Sequence, residues 1–172
     1  ERLLAILRRE TGNIVLIGMP GCGKTTIGKA LAELTGKECI DTDTAIEHEY
    51  GSTIPNIFQE QGEAYFRDLE RKKIAEIGSL SGKIITTGGG AVKTKENYNA
   101  LHQNGRIYFL DRAIEDLATK DRPLSIGADL NAMAQERLPL YMAFCDTTIK
   151  NNGSPEETAA EIWRDFCENS CN

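Results

Sequence analysis

No apolar run in this 172-residue sequence approaches the roughly 20 residues needed to cross a bilayer. The first residues also lack the apolar core of a signal peptide. A chain with no membrane partner is expected, and a cytoplasmic one. Positive charge is not in excess either. The formal net charge is −6, which argues against a nucleic-acid partner or a broad anionic-membrane surface. Five cysteines, Cys22, Cys39, Cys145, Cys167 and Cys171, are odd in number and form no C-x-x-C pair. Neither a zinc site nor a disulfide framework is expected, and thiols in a reducing compartment fit the pattern. Only two histidines occur, His48 and His102, and neither falls in a motif, so histidine is assigned no catalytic part. No repeat, low-complexity tract or linker divides the chain. One domain over residues 1–172 is expected, with residues 1–10 as an N-terminal helical extension. The sequence starts at Glu1 rather than at a methionine, which fits a trimmed chain and a module of a longer fused enzyme equally well.

What is present is an alternation of short apolar runs and helix-period segments. Strands are predicted at 13–17, 38–41, 83–87, 106–110 and 147–150. Helices are predicted at 1–9, 24–34, 44–50, 54–61, 63–80, 94–103, 114–119, 130–145 with a break near Pro139, and 155–168. Ser154 is placed to cap the last helix, with Pro155 at its first position. Strands alternating with helices indicate an α/β fold, a three-layer α/β/α sandwich around a central five-stranded parallel sheet.

The sharpest local signal is Gly18-Met19-Pro20-Gly21-Cys22-Gly23-Lys24-Thr25. It matches G-x-x-x-x-G-K-S/T at every fixed position, after a predicted buried strand and before a predicted helix. Glycines let the backbone curl around a phosphate, and the loop N–H groups face the anion together with the helix N-terminus. Gly21, Cys22, Gly23, Lys24, Thr25 and Thr26 are the expected nucleotide contacts. Lys24 would reach the β- and γ-phosphates, and the Thr25 hydroxyl would face Mg²⁺.

This loop indicates a nucleotide but not what else binds. Asp41-Thr42-Asp43 closes the second predicted strand, where ligands of open α/β sheets lie. Two carboxylates there can divide metal binding and hydroxyl binding, although an N-cap aspartate opening the next helix has the same pattern. Arg67 and Glu70, three apart on a helix, can make a carboxylate fork with a fixed guanidinium, or an ordinary surface pair. Gly88, Gly89 and Gly90 permit close approach to backbone, or simply a turn. Arg122 lies in a polar stretch and Arg137 on a later helix.

Taken in order, the GMPGCGKT loop, DTD at 41–43, GEAYFRDLE at 62–70, GGG at 88–90, RPL at Arg122 and RLPLY at Arg137 resemble the shikimate kinases, over about residues 13–166. The resemblance implies ATP and Mg²⁺ as cofactors, shikimate as acceptor and shikimate 3-phosphate as product, on the route to chorismate and the aromatic amino acids. It implies that Thr25 and Asp41 hold Mg²⁺. Asp43 would bind the acceptor hydroxyls and take a proton, and Arg67 and Arg137 would clamp its carboxylate. Gly88, Gly89 and Gly90 would line the acceptor. Lys24 and Arg122 would stabilise the transferring group, and Pro155 would border adenine. Residues 119–127 would form a lid. The stretch from Thr119 to Arg137 departs from the family's pattern: it is shorter than usual, and Asp121 stands before Arg122, where the family often carries more positive charge. A monomer is expected, or a module of a fused aromatic-pathway enzyme. The rival readings are another small-molecule kinase, such as a gluconate or nucleoside-monophosphate kinase, and a nucleotide-binding regulatory module.

Overall fold

The computed structural model describes residues 2–117 and 129–169. Its sheet has five parallel strands in the order β2-β3-β1-β4-β5. These are β1 (Asn13–Ile17), β2 (Glu38–Asp41), β3 (Lys83–Thr86), β4 (Gly105–Asp111) and β5 (Thr147–Lys150). The Asn-Ile-Val-Leu-Ile run of β1 is buried at all five positions, because it is the central strand with helices covering both faces. Leu16 sits beside Thr86 of β3 on one side and Tyr108 of β4 on the other.

The helices are α1 (Arg2–Thr11), α2 (Lys24–Thr35), α3 (Thr42–Tyr50), α4 (Ile54–Gln61), α5 (Glu63–Gly78), α6 (Glu96–His102), α7 (Leu130–Phe144) and α8 (Pro155–Asn169). Packing of α2 on α8 and of α5 on α6 builds the outer layers of the expected sandwich. The close approaches are made at small residues. A Cβ on Gly28 of α2 would lie 2.8 Å from both Cys39 Sγ and Thr86 Cγ2, so this glycine lets α2 settle directly on β2 and β3. Besides the main core around the sheet, a smaller cluster of Ile46, Ile57 and Phe66 joins α3, α4 and α5. This cluster holds α3 and α5 at the carboxyl ends of β2 and β3. The chain crosses from β1 to β2 and returns through β3. The ends of β1, β2 and β3 therefore border one crevice, as the rule for open parallel sheets requires.

Several boundaries differ from the sequence expectation. α7 passes through Pro139 without a break. Proline removes one backbone donor, which frees the carbonyl of Gln135. Both residues are exposed, so water can satisfy that carbonyl and the helix continues. Of the helix expected at 114–119, the described part is a single 3₁₀ turn, Ile114–Asp116. Another 3₁₀ turn, Ala91–Lys93, precedes α6. Leu3 and Leu4 of α1 are 68% and 58% exposed. That helix is anchored at its other end, where Gly82 N–H donates to Thr11 O at 2.6 Å and Lys37 Nζ donates to Glu10 O at 2.9 Å. The lid segment 119–127, with Arg122, lies outside the described residues. Among the described residues no helix is long and apolar enough to cross a membrane.

Candidate active site

The phosphate loop leaves β1 and enters α2 through backbone that side chains tolerate poorly. Gly21 and Gly23 have φ of 77° and 102°, in the left-handed region that glycine enters without a Cβ penalty. The Lys24 side chain folds back over the loop, and its buried Nζ donates to the carbonyls of Gly18 and Met19, each at 2.9 Å. Thr25 and Thr26 stand exposed in the first turn of α2. Cys22 is fully buried, with Sγ 3.8 Å from Lys24 Nζ, so its part in the loop is played by its backbone. A residue far along the chain secures that backbone. Asn151, just past β5, donates from Nδ2 to Cys22 O at 2.6 Å and accepts from Thr158 Oγ1 at 3.1 Å.

Asp41 caps the next helix with one oxygen and turns the other toward the phosphate loop. Its Oδ1 accepts from Thr44 N at 3.0 Å, capping α3. Its Oδ2 accepts from Thr86 Oγ1 at 2.7 Å and from Thr25 Oγ1 at 3.3 Å. A carboxylate oxygen and a threonine hydroxyl thus converge beside the phosphate loop, an all-oxygen set of the kind Mg²⁺ accepts. Among the described residues no cluster of three or more His, Cys, Asp or Glu could hold a metal. Sparse protein ligation of this sort fits an ion that keeps waters and phosphate oxygens as its remaining ligands.

The second half of the crevice is organised by Gly88, Gly89 and Gly90, which follow β3. None of the three has positive φ, so glycine is needed for closeness rather than conformation. A Cβ on Gly88 would lie 2.6 Å from Asp43 Oδ1, and one on Gly89 would lie 2.7 Å from Pro20 Cδ of the phosphate loop. A Cβ on Gly90 would meet the end of the Arg67 guanidinium, with Nη1 at 2.6 Å. One turn therefore touches the α3 carboxylate, the phosphate loop and the α5 arginine in succession.

Asp43 Oδ1 is buried and has no hydrogen-bond partner. Burial first, then the negative charges of Asp41 and Glu70, push its carboxyl up to about 7. Arg67 Nη1 donates to Glu70 Oε2 at 2.7 Å. Glu70 is fully buried, and burial raises its carboxyl pKa despite the opposing charges of Arg67 and Arg137. Arg137 reaches the same region from α7, and its buried Nε also has no partner. One turn onward, the Tyr141 hydroxyl donates to Gly89 O at 2.6 Å. The crevice therefore presents a carboxyl poised near neutrality, two guanidinium groups and backbone amides next to a phosphate cradle. This arrangement suits alignment of an anionic polyol with a terminal phosphate.

The structure thus brings together the phosphate-loop residues, Asp41, Asp43, Arg67, Gly88, Gly89, Gly90 and Arg137. Pro155 opens α8, behind a reciprocal cap in which Glu157 N donates to Ser154 Oγ at 3.2 Å and Ser154 N to Glu157 Oε2 at 2.9 Å. Arg122 is not among the described residues. Sequence reasoning missed Thr86, Asn151 and the hydroxyl of Tyr141. Of these only Tyr141 carried a signal, as the last residue of the RLPLY segment.

Comparison with known proteins bears on this site. The family model described as shikimate kinase matches residues 20–167. The chain is similar to the shikimate kinase of Thermobifida fusca, with 39% identity over 156 residues, covering 86% of this chain and 90% of the relative. Among solved structures it is similar to a shikimate kinase from Acinetobacter baumannii in complex with shikimate, with a TM-score of 0.87 and 34% identity over 96% of this chain and 98% of that one. A gluconokinase from Sinorhizobium meliloti shares the fold at a TM-score of 0.56 and 18% identity, covering 94% of this chain and 96% of that one.

Proposed function

The chain belongs to the shikimate kinase family, and from that premise we propose that it transfers the γ-phosphoryl group of ATP, as its Mg²⁺ complex, to the 3-hydroxyl of shikimate. One observation carries the assignment of roles. The Gly88–Gly90 turn contacts Pro20 of the phosphate loop, Asp43 and Arg67 together, so donor and acceptor subsites are built on one piece of backbone.

The loop amides of residues 21–26 would hold the nucleotide phosphates. Lys24 would exchange the carbonyls of Gly18 and Met19 for phosphate oxygens. Thr25 and Asp41 would hold Mg²⁺, which when bound neutralises charge on the phosphates. Asp43 would accept a hydrogen bond from the attacking hydroxyl and receive its proton, a role suited to a carboxyl raised to about 7. Arg67 and Arg137 would bind the acceptor carboxylate, and Gly88, Gly89 and Gly90 would line the ring. Arg122, on the segment 119–127 read as the lid, would add positive charge over the transferring group, and Pro155 would border adenine. The chain is read as a single domain acting as a monomer. The same roles would hold within a fused enzyme.

The test is ADP formation by purified protein with Mg²⁺ and ATP, with and without shikimate. Strong dependence on shikimate is expected. Asp43→Asn and Arg67→Ala should each remove most turnover while nucleotide titration stays near wild type. Near-normal turnover in either variant would sink its assignment.

A further inference from the structure

The Arg67 side chain is 18% exposed, and three neighbours crowd its guanidinium. Nη1 is held by the fully buried Glu70 at 2.7 Å. Its terminal end abuts Gly90, where a Cβ would lie closest to Nη2, with Nη1 at 2.6 Å and Cζ at 2.7 Å. Its Cζ lies over the Phe66 ring, 5.3 Å from the centroid. What remains is the fork formed by Nε and Nη2, and that fork is already taken. Glu63 Oε1 accepts from Nε at 3.3 Å and from Nη2 at 3.2 Å.

The two carboxylates on Arg67 differ in kind. Glu70 makes a short bond from a buried position. Glu63 makes two long bonds through one oxygen, and its side chain is 50% exposed. A carboxylate docking on an arginine fork normally uses both oxygens in parallel, which Glu63 does not do. Glu63 also has a second partner at hand. Lys93 Nζ lies 3.2 Å from the same Oε1 and is steadied by Glu136 Oε1 at 3.4 Å. As the first residue of α5, Glu63 is favoured near the helix N-terminus wherever its carboxylate turns.

We propose that Glu63 is a resident competitor for the acceptor's carboxylate: it holds the Nε/Nη2 fork of Arg67 and passes to Lys93 when a bidentate ligand carboxylate takes that fork. The inference rests on the reading of Arg67 as a carboxylate clamp. Glu63 then determines specificity. An anionic acceptor replaces one carboxylate with a better-placed one, whereas a neutral analogue leaves Glu63 in place and gains nothing from the arginine. Discrimination comes from a contact that must be broken as well as one that is made.

The experiment is calorimetric titration of the purified chain with shikimate and, separately, with its neutral methyl ester and with ADP. Wild type, Glu63→Ala, Glu63→Gln, Arg67→Ala and the Glu63→Ala/Arg67→Ala double variant are compared. Removing the competitor should tighten shikimate binding by about three- to fivefold, the scale of a partly exposed ion pair, with ADP and ester affinities unchanged. The gain should vanish in the double variant. Glu63→Gln keeps the shape and covers the case in which Glu63→Ala fails to fold. Unchanged or weaker shikimate binding in both Glu63 variants overturns the proposal while leaving Arg67 as the clamp. Unchanged shikimate binding in Arg67→Ala overturns the clamp reading and the proposal with it.

Discussion

The Tyr141 hydroxyl donates to the Gly89 carbonyl at 2.6 Å, across 52 residues of sequence. The ring is fully buried and stacks on Phe109 of β4, with centroids 5.0 Å apart. Arg137 lies one turn earlier on the same helix, close enough for its charge to offset part of the upward push that burial gives the Tyr141 hydroxyl pKa. The bond therefore ties the α7 arginine and the glycine turn into one unit.

Tyr141→Phe keeps the stacking and leaves the Gly89 carbonyl without its donor. At this part-buried site the lost hydrogen bond costs about 0.5–1.5 kcal/mol. The variant should melt earlier by a corresponding amount, and its KM for shikimate should rise several-fold with nucleotide affinity held. Steady-state kinetics with each substrate varied checks this. An equal rise in both KM values would mean a general loosening instead.

Asp43 predicts a pH dependence with two readouts. Its carboxyl is raised from 3.8 to about 7, and the proton-accepting role proposed for it needs the ionised form. kcat/KM should therefore fall as pH drops through about 7, and the small residual activity of Asp43→Asn should lack that limb. Stability runs the other way. Between 3.8 and about 7 the folded chain holds a proton that the unfolded chain releases, so this group's contribution declines as pH rises. The stability of Asp43→Asn relative to wild type should grow across that window and level off above it. Thermal melts at several pH values measure it.

Asn151→Ala removes both the clasp on Cys22 O and the acceptor for Thr158. Nucleotide affinity should fall severalfold, because the loop loses a fixed conformation, and shikimate binding without nucleotide should hold. Stability should drop by about 1–3 kcal/mol, since buried polar groups lose partners. Paired ADP and shikimate titrations and a denaturant melt separate these effects.

Thr86→Val deletes the shorter of the two threonine contacts to Asp41 Oδ2. The carboxylate then keeps Thr25 and its capping bond to Thr44 but loses its support from β3. The Mg²⁺ concentration giving half-maximal rate should rise, with KM for shikimate unchanged. A Mg²⁺ titration of the rate is the measurement.

Much of this molecule is legible in its sequence because the informative signals are local. After Asn13, β1 is a continuous apolar run, the phosphate loop is eight consecutive residues, and Asp41 with Asp43 spans three. The uses of Thr86, Asn151 and Tyr141 are not local. Asn151 meets Cys22 across 129 positions, and nothing in its neighbours marks it. Pro139 misled for a related reason. A breaker residue announces a lost hydrogen bond, but only the fold decides whether water can take the freed carbonyl. The glycine triplet was visible as a turn. That its three members face three different elements depends on helix packing no short window contains.

That triplet has a consequence for how acceptor preference can change in this architecture. At residues 88–90 the distance from the phosphate loop to the acceptor groups is the thickness of a bare peptide, with no side chain to lengthen or trim. Even a methyl group at Gly88 or Gly90 would push Asp43 or Arg67 outward, and one at Gly89 would press on Pro20. With the roles proposed above, the turn would work as a gauge of fixed width between the two substrates. A larger or differently charged acceptor must therefore be accommodated from the far wall, through α5 and α7, where side chains such as Glu63 and Arg137 can be exchanged without altering the gap the phosphoryl group crosses.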